Sequence, residues 1–466
     1  MAVHTKHPVS APPAAPAREK TGHLLLRAWC VFVLTLAIAG VSWVNAFGAA
    51  IAGGIAVLAA AVSVTLWIVI RPPVQWRRFP WYALVYVAFA AVSVLWSAWP
   101  AATALTWAML AVTTLQALFV GGVLTWHELV RSVSSALRWV LSVSLLFEVF
   151  VSVIVQHPVM PQFAPVPEGA DPIVYWSRDN LFDGGRIQGV FGNANLLAMV
   201  AALAIIVFAV RYASQSPKRH WQLFWVVLAG YLLIRAGSAT AYLALAGAVL
   251  VLATVLLMRT TKRPGERTKY YVAYAVIGLG GGLALWFGRD TIFSALGRDA
   301  DLTGREMIWD AVLARAAERP WAGWGYSTPW LPWEAQIDGW IIDHDQTVMQ
   351  AHSMWVDVFF QLGVIGVVLI GMAYFAFVWR SWFFAVDRPR WDLRDDRPYS
   401  ALSLLPTLTG AILLVQGFSE SNPLMLWGWM FVVMFAFKIK QSPHIGEGPI
   451  EQRLAIERGD LMKQEP

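Results

Sequence analysis

The chain has 466 residues, 58% hydrophobic and only 14% charged, against about 25% charged in ordinary soluble domains. That balance excludes a soluble globular protein, and the lack of ten-residue alternating segments excludes a membrane β-barrel. The formal charge of +6 is sorted by membrane side rather than gathered in a patch, so it is not a nucleic-acid signal; Cys30, the single cysteine, excludes an intrachain disulfide and a cysteine-based metal site.

The Pro/Ala-rich stretch "SAPPAAPAREK" marks residues 1–24 as a disordered cytoplasmic tail. Apolar segments follow at about 25–44, 49–70, 81–99, 102–124, 136–155, 195–212, 221–235, 240–258, 271–287, 353–379, 401–418 and 424–437. A helix crosses about 30 Å of hydrocarbon with about 20 such residues, which predicts an all-α polytopic membrane protein of about twelve spans. The first span lacks a clear small-x-small cleavage site and reads as an uncleaved anchor. An even number puts both termini on one side. Of the 35 Lys and Arg, 27 then fall on the side of the termini, in alternate loops and in both tails. By the positive-inside rule that side is cytoplasmic. The expected organisation is nine helices over 25–287, a large extracytoplasmic loop at 288–352, three helices over 353–440 and a charged cytoplasmic tail at 441–466.

Two outer loops, 156–194 and 288–352, exceed what a connector needs, and loops of that length are usually functional or disordered. They hold seven of the eight outward arginines, Arg178, Arg186, Arg289, Arg298, Arg305, Arg315 and Arg319; the eighth, Arg235, ends the seventh span. In the first loop, "GGRIQGVFGNANLLAM" places Arg186 before a Gly/Asn turn in which Asn193 or Asn195 can cap the next helix. In the second, "DLTGREMIWDAVLARAAERP" predicts an amphipathic helix. Thr303 and Glu306 form a capping box, Ile308–Val312 and Trp309–Leu313 are apolar i,i+4 pairs, and Pro320 ends the pattern. Arg305 falls in the first turn, where a cation is disfavoured by the helix dipole unless an anion is bound there. A solvated arginine is the plain alternative. Trp321, Trp324, Tyr326, Trp330, Trp333 and Trp340 form either an interfacial belt or a sugar-stacking surface. "QAHSMWVDVFFQL" then sets His352 at the mouth of a span, with Asp357 and Gln361 on one helical face. His352 and Asp357 are about 140° apart around a helix, so a direct pair is not expected. Glu148 and Asp357 are the clear acidic residues inside spans, a position that usually faces a bundle interior.

The blocks "RIQGVFGNANLLA", "LTGREMIWDAVLARAAERPWAGWGYS" and "AHSMWVDVFFQLGVIGVVL" resemble, in order and position, the signature blocks of the O-antigen ligase and polymerase superfamily. The resemblance covers roughly residues 180–430. It implies a bundle related to the C-type glycosyltransferases, working without a metal or other cofactor. It also implies a polyprenyl diphosphate-linked glycan as donor and a glycan, lipid or protein hydroxyl as acceptor, on the outer face of the cytoplasmic membrane. The implied roles fall on Arg186 and Arg305 for the diphosphate and on His352 as the catalytic base. Ser353 has little claim, because "AHS" stands where His-Asn is commoner. Where the family often has Ser-Arg, this chain reads Ser238-Ala239. Arg235, four residues earlier, could supply that guanidinium if the turn is helical. Asn193, Asn195, Asp357 and Glu420 are weaker candidates. The first outer loop, around Asn45, carries no carboxylate, which also speaks against a metal-dependent lipid-phosphate sugar transferase.

Ligase and polymerase differ in acceptor, and no motif separates them. A flippase or transporter of lipid-linked glycan is the alternative of another class. It would favour mid-membrane charges, broken helices and an internal repeat, whereas the polar candidates here gather at one outer rim.

Overall fold

The computed structural model describes residues 21–167, 169, 171–215, 218–261, 264–280, 305–343, 346–386, 399–446 and 448–457. The tail up to residue 20, Thr303 of the expected capping box, and Arg289 and Arg298 lie outside the described residues. The chain is an all-α polytopic membrane protein. In order it forms α1 (Thr21–Ile38), α2 (Gly40–Phe47), α3 (Ala49–Ile70), α4 (Trp81–Val92), α5 (Pro100–Val123), α6 (Trp126–Phe150), α7 (Ala194–Ala213), α8 (Arg219–Ala236) and α9 (Ala239–Thr260). Residues 268–280 are helical (α10). They are followed by α11 (Arg305–Ala316), the hairpin β1 (Ile342–Asp343) and β2 (Gln346–Thr347), α12 (Met354–Val386), α13 (Leu404–Ser419), α14 (Leu426–Gln441) and α15 (Pro449–Glu457). The expected spans at 49–70, 195–212, 221–235 and 240–258 each fall within or on one helix, whereas 25–44 is divided between α1 and α2, 81–99 is helical only as far as Leu95, and 281–287 of the ninth lie outside the described residues. Among the described residues eight helical stretches are long and apolar enough to cross a membrane: α1, α3, α5, α6 continued to Val155, α7, α9, α12 and α13 with the turn that leads into it, Ala401–Ser419.

Helices α7, α13 and α14 form the centre, with α14 buried almost continuously from Trp427 to Phe437. Lipid is as apolar as leucine, so close backbone approach rather than hydrophobicity drives such packing. Gly121 and Gly122 of α5 provide it against α14: a Cβ at Gly121 would lie 3.2 Å from the Met434 carbonyl oxygen. At the other end of the bundle from His352, Glu451 of α15 accepts from the Trp126 N–H at 3.2 Å, and Arg453 donates to the Ile70 carbonyl at 2.9 Å, a helix-end acceptor of α3.

Two further elements depart from the sequence expectation. Helix α6 begins at Trp126, ten residues before the expected span, because Thr125 and Glu128 form a capping box that starts the helix in its charged stretch. Helix α12 runs on to Val386 and is broken at Gly363, whose φ of 62° and ψ of −164° are open in practice only to glycine. The segment 320–325 inserts into the break. Val364 N–H donates to the Pro320 carbonyl at 2.8 Å and Ile365 N–H to Trp321 at 3.2 Å, while Trp324 and Gly325 N–H donate back to the Phe360 and Gln361 carbonyls at 3.1 and 2.9 Å. Backbone groups freed at membrane depth are thus satisfied by protein. This broken helix is a feature expected of a transporter, and it is present.

Candidate active site

Arg305 opens the described part of α11, and the buried Ile308 and Val312, an apolar pair in the sequence pattern, seat that helix against α12. Its Nη1 donates to the Ser419 carbonyl at 2.7 Å and its Nη2 to Glu420 Oε1 at 3.1 Å. Glu420, just past the end of α13, turns its other oxygen to His352: Oε2 lies 3.2 Å from Nδ1. Gln350 completes the cluster, donating from Nε2 to Glu420 Oε2 at 3.4 Å and accepting from the Ser421 N–H at 3.3 Å. The Glu420 side chain is 7% exposed and that of His352 29%, so the carboxylate is enclosed while the imidazole keeps an open edge.

The His352 backbone is held in the left-handed region, φ 50°, a conformation that costs a non-glycine residue free energy and persists where surroundings enforce it. Trp309 of α11 provides one restraint, donating from Nε1 to the Ala351 carbonyl at 2.8 Å. Asp357 provides another: its Oδ2 accepts from the Ala351 N–H at 3.3 Å and from the Ser421 hydroxyl. Gln361 donates to Asp357 Oδ1 at 3.3 Å, which agrees with the shared face read from the sequence, and accepts from Ser327 N–H and the Thr328 hydroxyl, both at 2.9 Å. Asp357 therefore fixes the loop and turn around His352 and Glu420 without bonding the imidazole.

Arg186 sits at a neighbouring point of the same rim. Its Nε donates to the Ala236 carbonyl at 2.7 Å, at the end of α8, and its Nη2 to Asn195 Oδ1 at 2.8 Å. Asn193 caps α7, accepting from Asn195 and Leu196 N–H at 2.8 and 3.3 Å. Burial, and the nearby Arg178 guanidinium, hold Arg186 below the usual arginine range. A Thr240–Ser419 hydroxyl contact at 3.2 Å joins the start of α9 to the residue whose carbonyl holds Arg305. Among the described residues, Arg186 and Arg235 meet neutral oxygens only, no carboxylate.

An O-antigen ligase family model matches residues 224–371. The chain is related to the O-antigen ligases. The matched stretch includes Arg235, Arg305, His352 and Asp357, while Arg186 and Glu420 lie on either side of it. The exopolysaccharide production protein ExoQ of Rhizobium meliloti (strain 1021) is 27% identical over 245 residues, which are 50% of this chain and 53% of that protein. The match thus spans about half of that relative's length.

In this O-antigen ligase-related chain the α8–α9 turn is not helical. Gly237 has φ 59° and Ser238 is extended, capping α9 with its hydroxyl. The condition for Arg235 to share a helical face with Ala239 is therefore not met, because a left-handed glycine ends α8. Arg235 instead donates from Nη2 to the Asn180 and Leu181 carbonyls at 2.8 and 2.9 Å, tying the first outer loop to α8. The aromatic run divides as well. Tyr326 and Trp330 are buried, and the Arg315 guanidinium lies 4.6 Å from the Trp340 ring and 4.8 Å from Trp324, an internal cation–π cluster. Trp321 and Trp333 remain well exposed. Sequence reasoning missed Gln350 and Ser421 and gave Glu420 too small a part; the one available signal is the polar "SESN" wedged between two apolar spans.

Proposed function

We propose that the chain is a metal-independent membrane glycosyltransferase of the O-antigen ligase type. It moves a glycan from a polyprenyl diphosphate to an acceptor hydroxyl at the extracytoplasmic face of the cytoplasmic membrane, with both termini cytoplasmic. The observation that carries this reading is Glu420, which joins His352 and Arg305 through its two oxygens. A carboxylate on Nδ1 sets the neutral imidazole tautomer that leaves the Nε2 lone pair free, and general-base help of this kind accelerates a reaction about 10²–10⁴-fold.

In the step, the acceptor oxygen bonds to the sugar C1 as its proton passes to His352 Nε2. The C1–oxygen bond to the diphosphate breaks, and polyprenyl diphosphate leaves with the electron pair. Arg186 and Arg305 hold that charge. Each guanidinium has five N–H donors and uses two in the bonds described, leaving three apiece for phosphate oxygens. An arginine cannot lose its proton here and is suited to bidentate phosphate contacts. Backside attack inverts the anomeric centre.

The test uses purified protein in liposomes with a polyprenyl diphosphate glycan and a panel of glycan, lipid and protein acceptors. Covalent product with release of polyprenyl diphosphate is expected, abolished in His352→Ala with donor binding retained. Normal transfer by that variant removes the histidine from the mechanism. Movement of intact donor lipid across the bilayer without product supports the transporter alternative. A second reading, repeat-unit polymerase, is favoured by the relative's name as an exopolysaccharide production protein; elongation of a glycan acceptor in preference to the others selects it.

A further inference from the structure

A cavity of about 620 Å³ opens at the end of the bundle opposite His352, between the last turns of α12 and α14 and the 3-10 turn at Trp76–Arg78. Its walls are apolar, with Trp379, Phe383 and Ile439 among them, and three cations border it: Arg78, Arg380 and Lys440. Among the described residues no carboxylate lines it. Arg78 donates to the Lys440 carbonyl at 3.5 Å and Lys440 to the Phe79 carbonyl, so both are placed by the fold with donors to spare. Arg380 makes no hydrogen bond or ion pair among the described residues, and its neighbour Trp379 is 55% exposed on the perimeter of the bundle. Converging three cations with no counter-charge among the described lining residues costs electrostatic energy, and positive-inside sorting requires cations in this loop layer but not their convergence on one apolar cleft.

We infer that this cleft is a binding site for an anionic phospholipid, whose phosphodiester lies between Arg78, Arg380 and Lys440 and whose acyl chain lies along Trp379, Phe383 and Ile439. A free phosphate would use the cations and leave the apolar wall bare; a zwitterionic lipid offers the same phosphodiester but brings a headgroup cation of its own, which Arg78, Arg380 and Lys440 repel. Basic clefts between helices at a membrane surface recognise lipid headgroups by this combination.

The experiment is native mass spectrometry of the full chain in detergent with phosphatidylglycerol, phosphatidylcholine and glycerol 1-phosphate as probes. Retention of phosphatidylglycerol at least ten-fold over phosphatidylcholine is expected, with a loss of about five-fold for each cation removed in Arg380→Gln and Arg78→Gln. Phe383→Ala is expected to weaken both lipids alike. Equal retention of the two lipids, unchanged retention in Arg380→Gln, or displacement of the lipid by equimolar glycerol 1-phosphate each overturns the assignment. A melting curve separates lost binding from lost folding. Should the arginine variants not fold, the comparison of the three probes on the unaltered chain decides alone.

Discussion

Replacing Glu420 by glutamine tests the bridge between base and cation directly. Glutamine matches the shape, but one oxygen becomes an amide NH₂. Oε1 now accepts from Arg305 at 3.1 Å and Oε2 faces His352 at 3.2 Å. Whichever way the amide turns, one of the two partners meets a donor instead of an acceptor. The side chain is 7% exposed, so water cannot fully replace the lost contact. A hydrogen bond to a charged group contributes about 1.5–3 kcal/mol, and each 1.36 kcal/mol is about ten-fold in rate. The expected fall in kcat is therefore about 10- to 160-fold. The assay is glycan transfer in liposomes with donor and acceptor saturating, alongside donor affinity and a melting curve. Donor affinity should stay within a few-fold, because Arg186 is untouched and Arg305 keeps its bond to the Ser419 carbonyl. A kcat within two-fold of the unaltered chain refutes the orienting role. A loss carried wholly by donor affinity refutes it too, and makes Glu420 a support for Arg305 alone.

Gly363→Ala should lower the melting temperature sharply. The new Cβ would lie 2.3–2.4 Å from the Trp321 carbonyl group, and strain of about 1–3 kcal/mol adds to two backbone bonds of about 1 kcal/mol each; an unchanged melting curve contradicts the broken-helix geometry. Glu148 accepts from Gln188 and Gly189 N–H at 2.9 and 2.6 Å and from the Ser177 hydroxyl at 2.8 Å. Glu148→Gln can keep all three contacts, since the hydroxyl can accept from the amide, whereas Glu148→Ala strands the donors. Only the alanine variant should become sensitive to proteolysis within 156–194. Trp309→Phe removes the indole bond to the Ala351 carbonyl and is expected to cost about 1 kcal/mol of stability, with transfer reduced several-fold as the His352 loop loosens; equal transfer shows that loop to be held elsewhere. Arg235→Ala is expected to cut transfer by freeing the Asn180 and Leu181 carbonyls, and wild-type transfer in that variant removes Arg235 from the site.

The class of fold was legible because hydropathy is a bulk property, and a run such as 195–212 has no other stable home. Helix α11 was legible for a local reason: the spacing of Ile308 and Val312 is a property of the helix alone. The site was legible only in its separate pieces. His352 and Glu420 are 68 residues apart and Arg305 and Glu420 115, and no local pattern records which turns of a bundle meet. The start of α6 was hidden because Glu128 and Arg131 lower the mean apolarity of a stretch that is helical all the same. The break at Gly363 was hidden for the opposite reason: the run that follows, 364–370, is apolar without interruption, and hydropathy does not sense φ. Gly237, by contrast, follows Arg235 and Ala236 in the position of a helix-ending glycine, a signal strong enough to have ruled out a continuous turn there.

The interlock of α12 with the segment 320–325 bears on the order in which the protein can be built. A helix with a gap in its hydrogen-bond ladder is a poor solute in hydrocarbon, where each unpaired group costs several kcal/mol. The segment that closes the gap comes roughly 40 residues earlier in the chain and is synthesised first. When α12 emerges, the segment that fills its break has already been made. The reverse order would expose the gap to lipid with nothing to fill it. The segment thus stands ready as a template for the span that follows it.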